Sequence, residues 1–224
     1  MTTQEFSNEF DILYNNIMSN SAPGLNEYEK SIFLTQAQEA LVLDIYRGKF
    51  DENSFESTEE VSDYINTLVR QSKITDTVEG NGISTNSVFY QLPNDIWFIT
   101  YESVILRDNN LDCKNGQEVI VKPITQDEYY SISKNPFRGA NDRRVLRLLS
   151  DNKAELISKY RIESYLIRYL SKPEPIILDN LSTYGVTING KSKITECKLN
   201  PAVHRILLNR AVQLAKSIWA SGKE

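Results

Sequence analysis

The run from Asn26 to Gly48 constrains this chain most, because about six turns of amphipathic, capped sequence read only as a helix. Pro23-Gly24 turns the chain into it, Asn26 stands where a cap belongs, and Glu29 completes a near-match to a capping box. Its expected buried side carries Phe33, Ala37, Ala40, Leu41 and Ile45, and Gly48 ends it. Residues 4–18 place Phe6, Phe10, Leu13 and Ile17 on a second apolar helical stripe. A third helix is expected from Ser57, where Ser57 and Glu60 match a capping box, with Val61, Tyr64, Ile65 and Leu68 turned inward.

The periodicity then changes. Residues 71–86 are polar, contain two glycines and read as an exposed loop. From Ser87 strand formers take over in SVFYQL, DIWFITYESVIL and GQEVIVKPI, punctuated by Pro93-Asn94 and Asn115-Gly116. Thr125 and Glu128 cap a short helix, and NPFRGAND is a loop. RRVLRLL and AELISKY form a hairpin around Asp151-Asn152. IESYLIRYL sets Tyr165, Ile167 and Tyr169 on one face and runs into KPEP, whose prolines end sheet pairing at an edge or make a stiff strut. Five or six mostly antiparallel strands follow.

After Asp179 a polar, glycine-containing stretch leads to a last helix. Asn200 is its cap, Pro201 its first residue, and Val203, Leu207, Ala211, Leu214 and Ile218 its stripe, with Trp219 beside it and Gly222 at its end. The expected fold class is therefore α+β: N-terminal helices, a mostly antiparallel β-sheet in the middle, and a C-terminal helix. The expected regions are 1–70, helical; 71–178, β-rich with one short helix; and 179–224, a polar arm and helix. Together they would make one compact domain plus an arm.

Composition narrows the class. With 224 residues, 40% hydrophobic and 25% charged, the chain has enough apolar content for a core. No apolar run approaches the roughly 20 residues of a bilayer span, and no secretory signal opens the chain, so cytoplasmic synthesis without membrane association is expected. Cys113 and Cys197 are expected as free thiols. The net charge of −5 divides into −9 over residues 1–60, −5 over 61–133 and +9 over 134–224. An acidic front and a basic rear either pair within one molecule or join copies head to tail.

Catalytic patterns are missing. His204 is the single histidine, at the start of the last helix, and lacks the partners a metal site or triad requires. No glycine-rich phosphate motif or nucleophile elbow occurs, and no pair among the 30 carboxylates stands apart. No catalytic, cofactor-binding or metal-binding residue is therefore nominated. Arg138, Arg143, Arg144 and Arg147, with Tyr129, Tyr130 and Phe137 nearby, are the candidates for nucleic-acid or protein contact. On a strand, Arg143, Arg144 and Arg147 would fall on both faces and not form one patch.

Three blocks carry a resemblance: APGLNEYEKSIFLTQAQEALV (Ala22–Val42), YLIRYLSKPEPIIL (Tyr165–Leu178) and ECKLNPAVHRILLNRAVQLAKSIW (Glu196–Trp219). NPFRGAND (Asn135–Asp142) is a weaker fourth. Together the chain resembles the ring or adaptor proteins at the head–tail connector of short-tailed, crAss-like phages. The resemblance implies a non-enzymatic virion protein in the neck between capsid and tail. It implies copies of the chain in a ring, usually twelve, bound to the portal protein and to neighbouring tail or ring proteins. Double-stranded DNA would pass without sequence-specific binding, and no cofactor is implied. Interface candidates are Arg138, Arg143, Arg144, Arg147, Leu207, Leu214 and Trp219, and segments 71–86 and 179–198 are expected to be flexible and to order on docking. The alternatives are another tail or internal virion protein, and a nucleic-acid-binding regulator using the four arginines.

Overall fold

A computed structural model describes residues 1–17, 24–50 and 59–221. The chain divides into two compact units, Met1–Leu68 with Lys172–Glu224, and Val69–Ser171. The expected α+β class is observed, with helices at both ends of the sequence and the strands between them.

The first unit is built on three helices, α1 (Thr3–Ile17), α2 (Glu27–Tyr46) and α5 (His204–Ser221), with a short α3 (Glu59–Ile65). Phe6 and Phe10 of α1 are buried as read, but Tyr14 takes the buried place expected of Leu13, which is half-exposed, and the Ile17 side chain lies outside the described residues. The Ser57 cap of α3 lies outside the described residues, whereas Val61, Ile65 and Leu68 are buried as read. Both halves of the α2 capping box form: Asn26 Oδ1 accepts the Glu29 N–H at 2.9 Å, and Glu29 Oε2 accepts the Asn26 N–H at 2.9 Å. Gly48, at φ 68°, ends the helix.

The buried side of α2 is rotated from the expected one. Leu34, Ala37, Leu41, Val42 and Ile45 are buried, while Phe33 and Ala40 are half-exposed. The reason is polar: Ser31, Thr35 and Gln38 are buried because they serve the backbone of the chain leaving the sheet. Ser31 Oγ accepts the Leu178 N–H at 3.0 Å, Thr35 Oγ1 accepts the Ile176 N–H at 3.1 Å, and Gln38 Nε2 donates to the Glu174 carbonyl at 2.7 Å. On the side that faces the helix this extended segment has no strand beside it, so side chains of α2 complete its hydrogen bonding there. Lys30, also buried, reaches from α2 to Asp11 of α1 at 2.6 Å.

The second unit is an eight-stranded sheet. Its strands are β1 (Val69–Ile74), β2 (Thr77–Val78), β3 (Ser87–Gln91), β4 (Ile96–Leu106), β5 (Glu118–Pro123), β6 (Arg144–Ser150), β7 (Lys153–Ile157) and β8 (Ile162–Ser171), in the order β1-β8-β4-β5-β6-β7-β3-β2. All pairs are antiparallel except β5 with β6, which α4 (Gln126–Lys134) connects. Tyr90, Val104, Val119, Val145, Leu156 and Tyr165 share one core on the inner face. Ile132 of α4 covers Leu146, Leu148 and Ile157 on the outer face. Asp151 and Asn152, at φ 45° and 59°, make the tight β6–β7 turn as read.

Three expectations are corrected. Residues 71–86 are not one loop, since β1 pairs with β8 and β2 with β3. Both are edge strands, whose free side faces water and tolerates polar sequence. Residues 179–198 are not a free arm: a turn at Leu181–Tyr184 and the Ile177–Thr195 bridge fold them, with Leu181 and Ile188 buried beside Ile177. Finally, β8 lies between β1 and β4, so KPEP does not leave an edge strand.

Candidate assembly surface

No group of three or more His, Cys, Asp or Glu side chains that could hold a metal ion occurs among the described residues. His204 packs as a core residue: Nε2 donates to the Leu199 carbonyl at 2.9 Å, and the ring lies 5.3 Å from that of Phe6. Burial pushes its pKa below the usual imidazole value. Cys197 is a free thiol whose burial raises its pKa to about 11, which leaves it unreactive.

The four arginines separate by environment. Arg147 is buried inside the curled sheet, where Nη2 meets Glu102 Oε1 at 2.8 Å. Arg144 is half-buried, and its Nη1 donates to the carbonyls of Phe137 and Arg138 at 3.0 and 3.3 Å. Only Arg138 and Arg143 are exposed. The cluster therefore holds a core and a loop together and offers two surface cations. A four-arginine contact patch is ruled out.

The last helix is corrected in the same way. Leu207 is fully buried within the first unit, so it presents no surface, and Leu214 is half-buried. Trp219 lies in α5, but its side chain falls outside the described residues. Ile218, read as part of the buried stripe, is 59% exposed, because the packed side instead carries Leu208, Val212 and Ala215. The acidic front and the basic rear also meet inside the first unit. Asp44 pairs with Arg210 at 2.7 Å, and Glu39 with Lys172 at 3.1 Å. Intramolecular pairing thus consumes part of the asymmetry that head-to-tail joining would use.

Among the described residues, two surface features bear on assembly. On the second unit, the α4–β6 loop presents Phe137 at 85% exposure, with the exposed Lys134 and Arg138 on either side of it in sequence. Phe137 is legible in the sequence only as an aromatic near arginines; its outward direction comes from the loop's hydrogen bonds. On the first unit, a cavity of about 460 Å³ is lined by Asn26, Glu27, Tyr28, Asp179, Leu181, Tyr184 and Val186. No spacing rule connects Tyr28 with Tyr184, so sequence reading misses this cavity.

The model of the phage tail ring protein 3/4 family matches residues 1–222. The chain belongs to that family. It is similar to Ring protein 3 of Bacteroides phage crAss001, at 49% identity over 96% of this chain and 95% of that protein. It is also similar to Ring protein 4/5 of the same phage, at 38% identity over 98% and 94%. The resemblance carried by Ala22–Val42, Tyr165–Leu178 and Glu196–Trp219 is thereby borne out. Membership in the ring family makes the chain a structural ring subunit of a phage particle. No helix among the described residues is long and apolar enough to cross a membrane.

Proposed function

We propose that this ring subunit sits in the neck of a short-tailed phage, joining portal and tail. Twelve copies would surround a channel through which double-stranded DNA passes without sequence-specific binding, and the role is non-enzymatic assembly. The observation that carries this reading is the match to the ring family across residues 1–222. The higher identity to Ring protein 3 than to Ring protein 4/5, 49% against 38%, favours the position of the former.

The test is quantitative mass spectrometry of purified particles, counting this chain against the portal protein. A whole-number ratio near one copy per portal subunit, with the chain retained in isolated necks, is the expected result. Absence from the particle would overturn the reading.

A further inference from the structure

Phe137 is held outward by a loop that is complete without it. The Asn135 carbonyl accepts the Gly139 N–H at 2.8 Å, and Asn135 Oδ1 accepts the Phe137 N–H at 2.9 Å. Arg144 ties the Phe137 and Arg138 carbonyls to the sheet. The loop is therefore fixed before any partner arrives, and little ordering entropy opposes docking. An aromatic ring left in water on such a loop has the form of an interface anchor. Its charged neighbours Lys134 and Arg138 are exposed cations.

The cavity on the first unit has the opposite character. Tyr28, Leu181, Tyr184 and Val186 supply apolar walls, and Glu27 and Asp179 supply carboxylates. Glu27 is shared with Lys30 and Ser7, but no ion pair engages Asp179 among the described residues. The unit that bears the cavity carries 11 Lys/Arg against 17 Asp/Glu, and the one that bears the loop carries 14 against 13. A cation-flanked loop facing its own copy across a two-fold axis would set like charges together. A ring needs instead two different patches that fit each other.

We infer that Phe137, flanked by Lys134 and Arg138, seats in the Tyr28–Leu181–Tyr184 cavity of the adjacent copy, with Asp179 facing its cations. This rests on the ring reading above, and it assigns the two faces through which neighbouring subunits join.

The test places a photo-crosslinking phenylalanine analogue at position 137 in particles assembled during infection. Irradiation is expected to yield a covalent dimer of this chain, and peptide mapping to place the junction within residues 24–32 or 177–190. Alongside it, Arg138→Glu should cut incorporation into particles at least tenfold, and Asp179→Arg in the same chain should restore it. The Arg138 side chain is exposed, so the variant should melt with the unmodified chain, which separates lost docking from lost folding. A junction elsewhere, a crosslink only to another phage protein, or no rescue by the double variant would overturn the inference while leaving ring membership intact. Absence of the unmodified chain from particles would overturn the ring reading itself.

Discussion

The rings of Tyr90 on β3 and Tyr165 on β8 meet with centroids 5.6 Å apart, although four strands stand between theirs in the sheet. A flat sheet would separate those strands by about 24 Å, so the sheet curls until its two flanks touch. Only the curl brings residues of β3, β4, β6 and β8 into one core.

The two tyrosines differ in their hydroxyls. Tyr165 donates to Glu102 at 2.6 Å, whereas the buried Tyr90 hydroxyl has no partner among the described residues, and burial raises its pKa to about 12. Tyr90→Phe should therefore raise stability by about 1 kcal/mol, the cost of an unmade buried hydrogen bond. Tyr165→Phe should lower it by about 1–3 kcal/mol. Denaturant melts of the two variants check the opposite signs.

Arg147 and Glu102 bridge β6 and β4 inside the same curl. Arg147→Ala leaves Glu102 buried without its cation and should cost about 3–5 kcal/mol. Replacing both partners, with Arg147→Met and Glu102→Leu, should return only part of that loss, since no unpaired charge remains but the buried Tyr165 hydroxyl loses its acceptor. Arg143→Ala, at an exposed position, should fall within about 0.5 kcal/mol of the unmodified chain. Equal losses at Arg143 and Arg147 would contradict the buried pairing.

His204 links stability to pH. Burial depresses its folded pKa below the ordinary imidazole value of about 6.5, with the Met1 ammonium adding to the effect. The unfolded chain therefore binds the proton first as pH falls. The contribution is fully present above about pH 6.5 and is lost as pH drops through that value towards the folded pKa. Melting temperature should decline from pH 7.5 to 5.5, and His204→Asn should flatten that part of the curve, although its absolute stability is lower.

Much of this fold is legible in the sequence where local chemistry decides it. The Asn26–Glu29 box, Gly48 and the Asp151-Asn152 turn depend on neighbours in the chain, and each forms as read. What escapes is set by partners far away. Ser31, Thr35 and Gln38 are buried because residues 174–178 arrive beside them, some 140 positions on, so a hydrophobic count places the α2 face one step away. β1 and β2 look like loop because edge strands do not need alternation. The assembly surface was least legible: an arginine cluster suggests a contact patch, yet Arg147 and Arg144 serve the interior and the loop, and the exposed Phe137 stands out only once the loop is built.

The last helix offers a direct comparison between core and surface. Leu207 is fully buried, and an aspartate there would carry an unpaired charge into the core of the first unit. Leu207→Asp should cost more than about 4 kcal/mol and leave the chain largely unfolded at 37 °C. Ile218, 59% exposed on the same helix, should accept aspartate with a change within about 0.5 kcal/mol. Circular-dichroism melts of the isolated chain separate the two, and particle incorporation of the Ile218→Asp variant adds a second reading. If that variant folds normally but fails to enter particles, the outer face of α5 is itself a contact surface. If it enters normally, α5 works from the inside alone, holding the acidic front to the basic rear through Asp44 and Arg210.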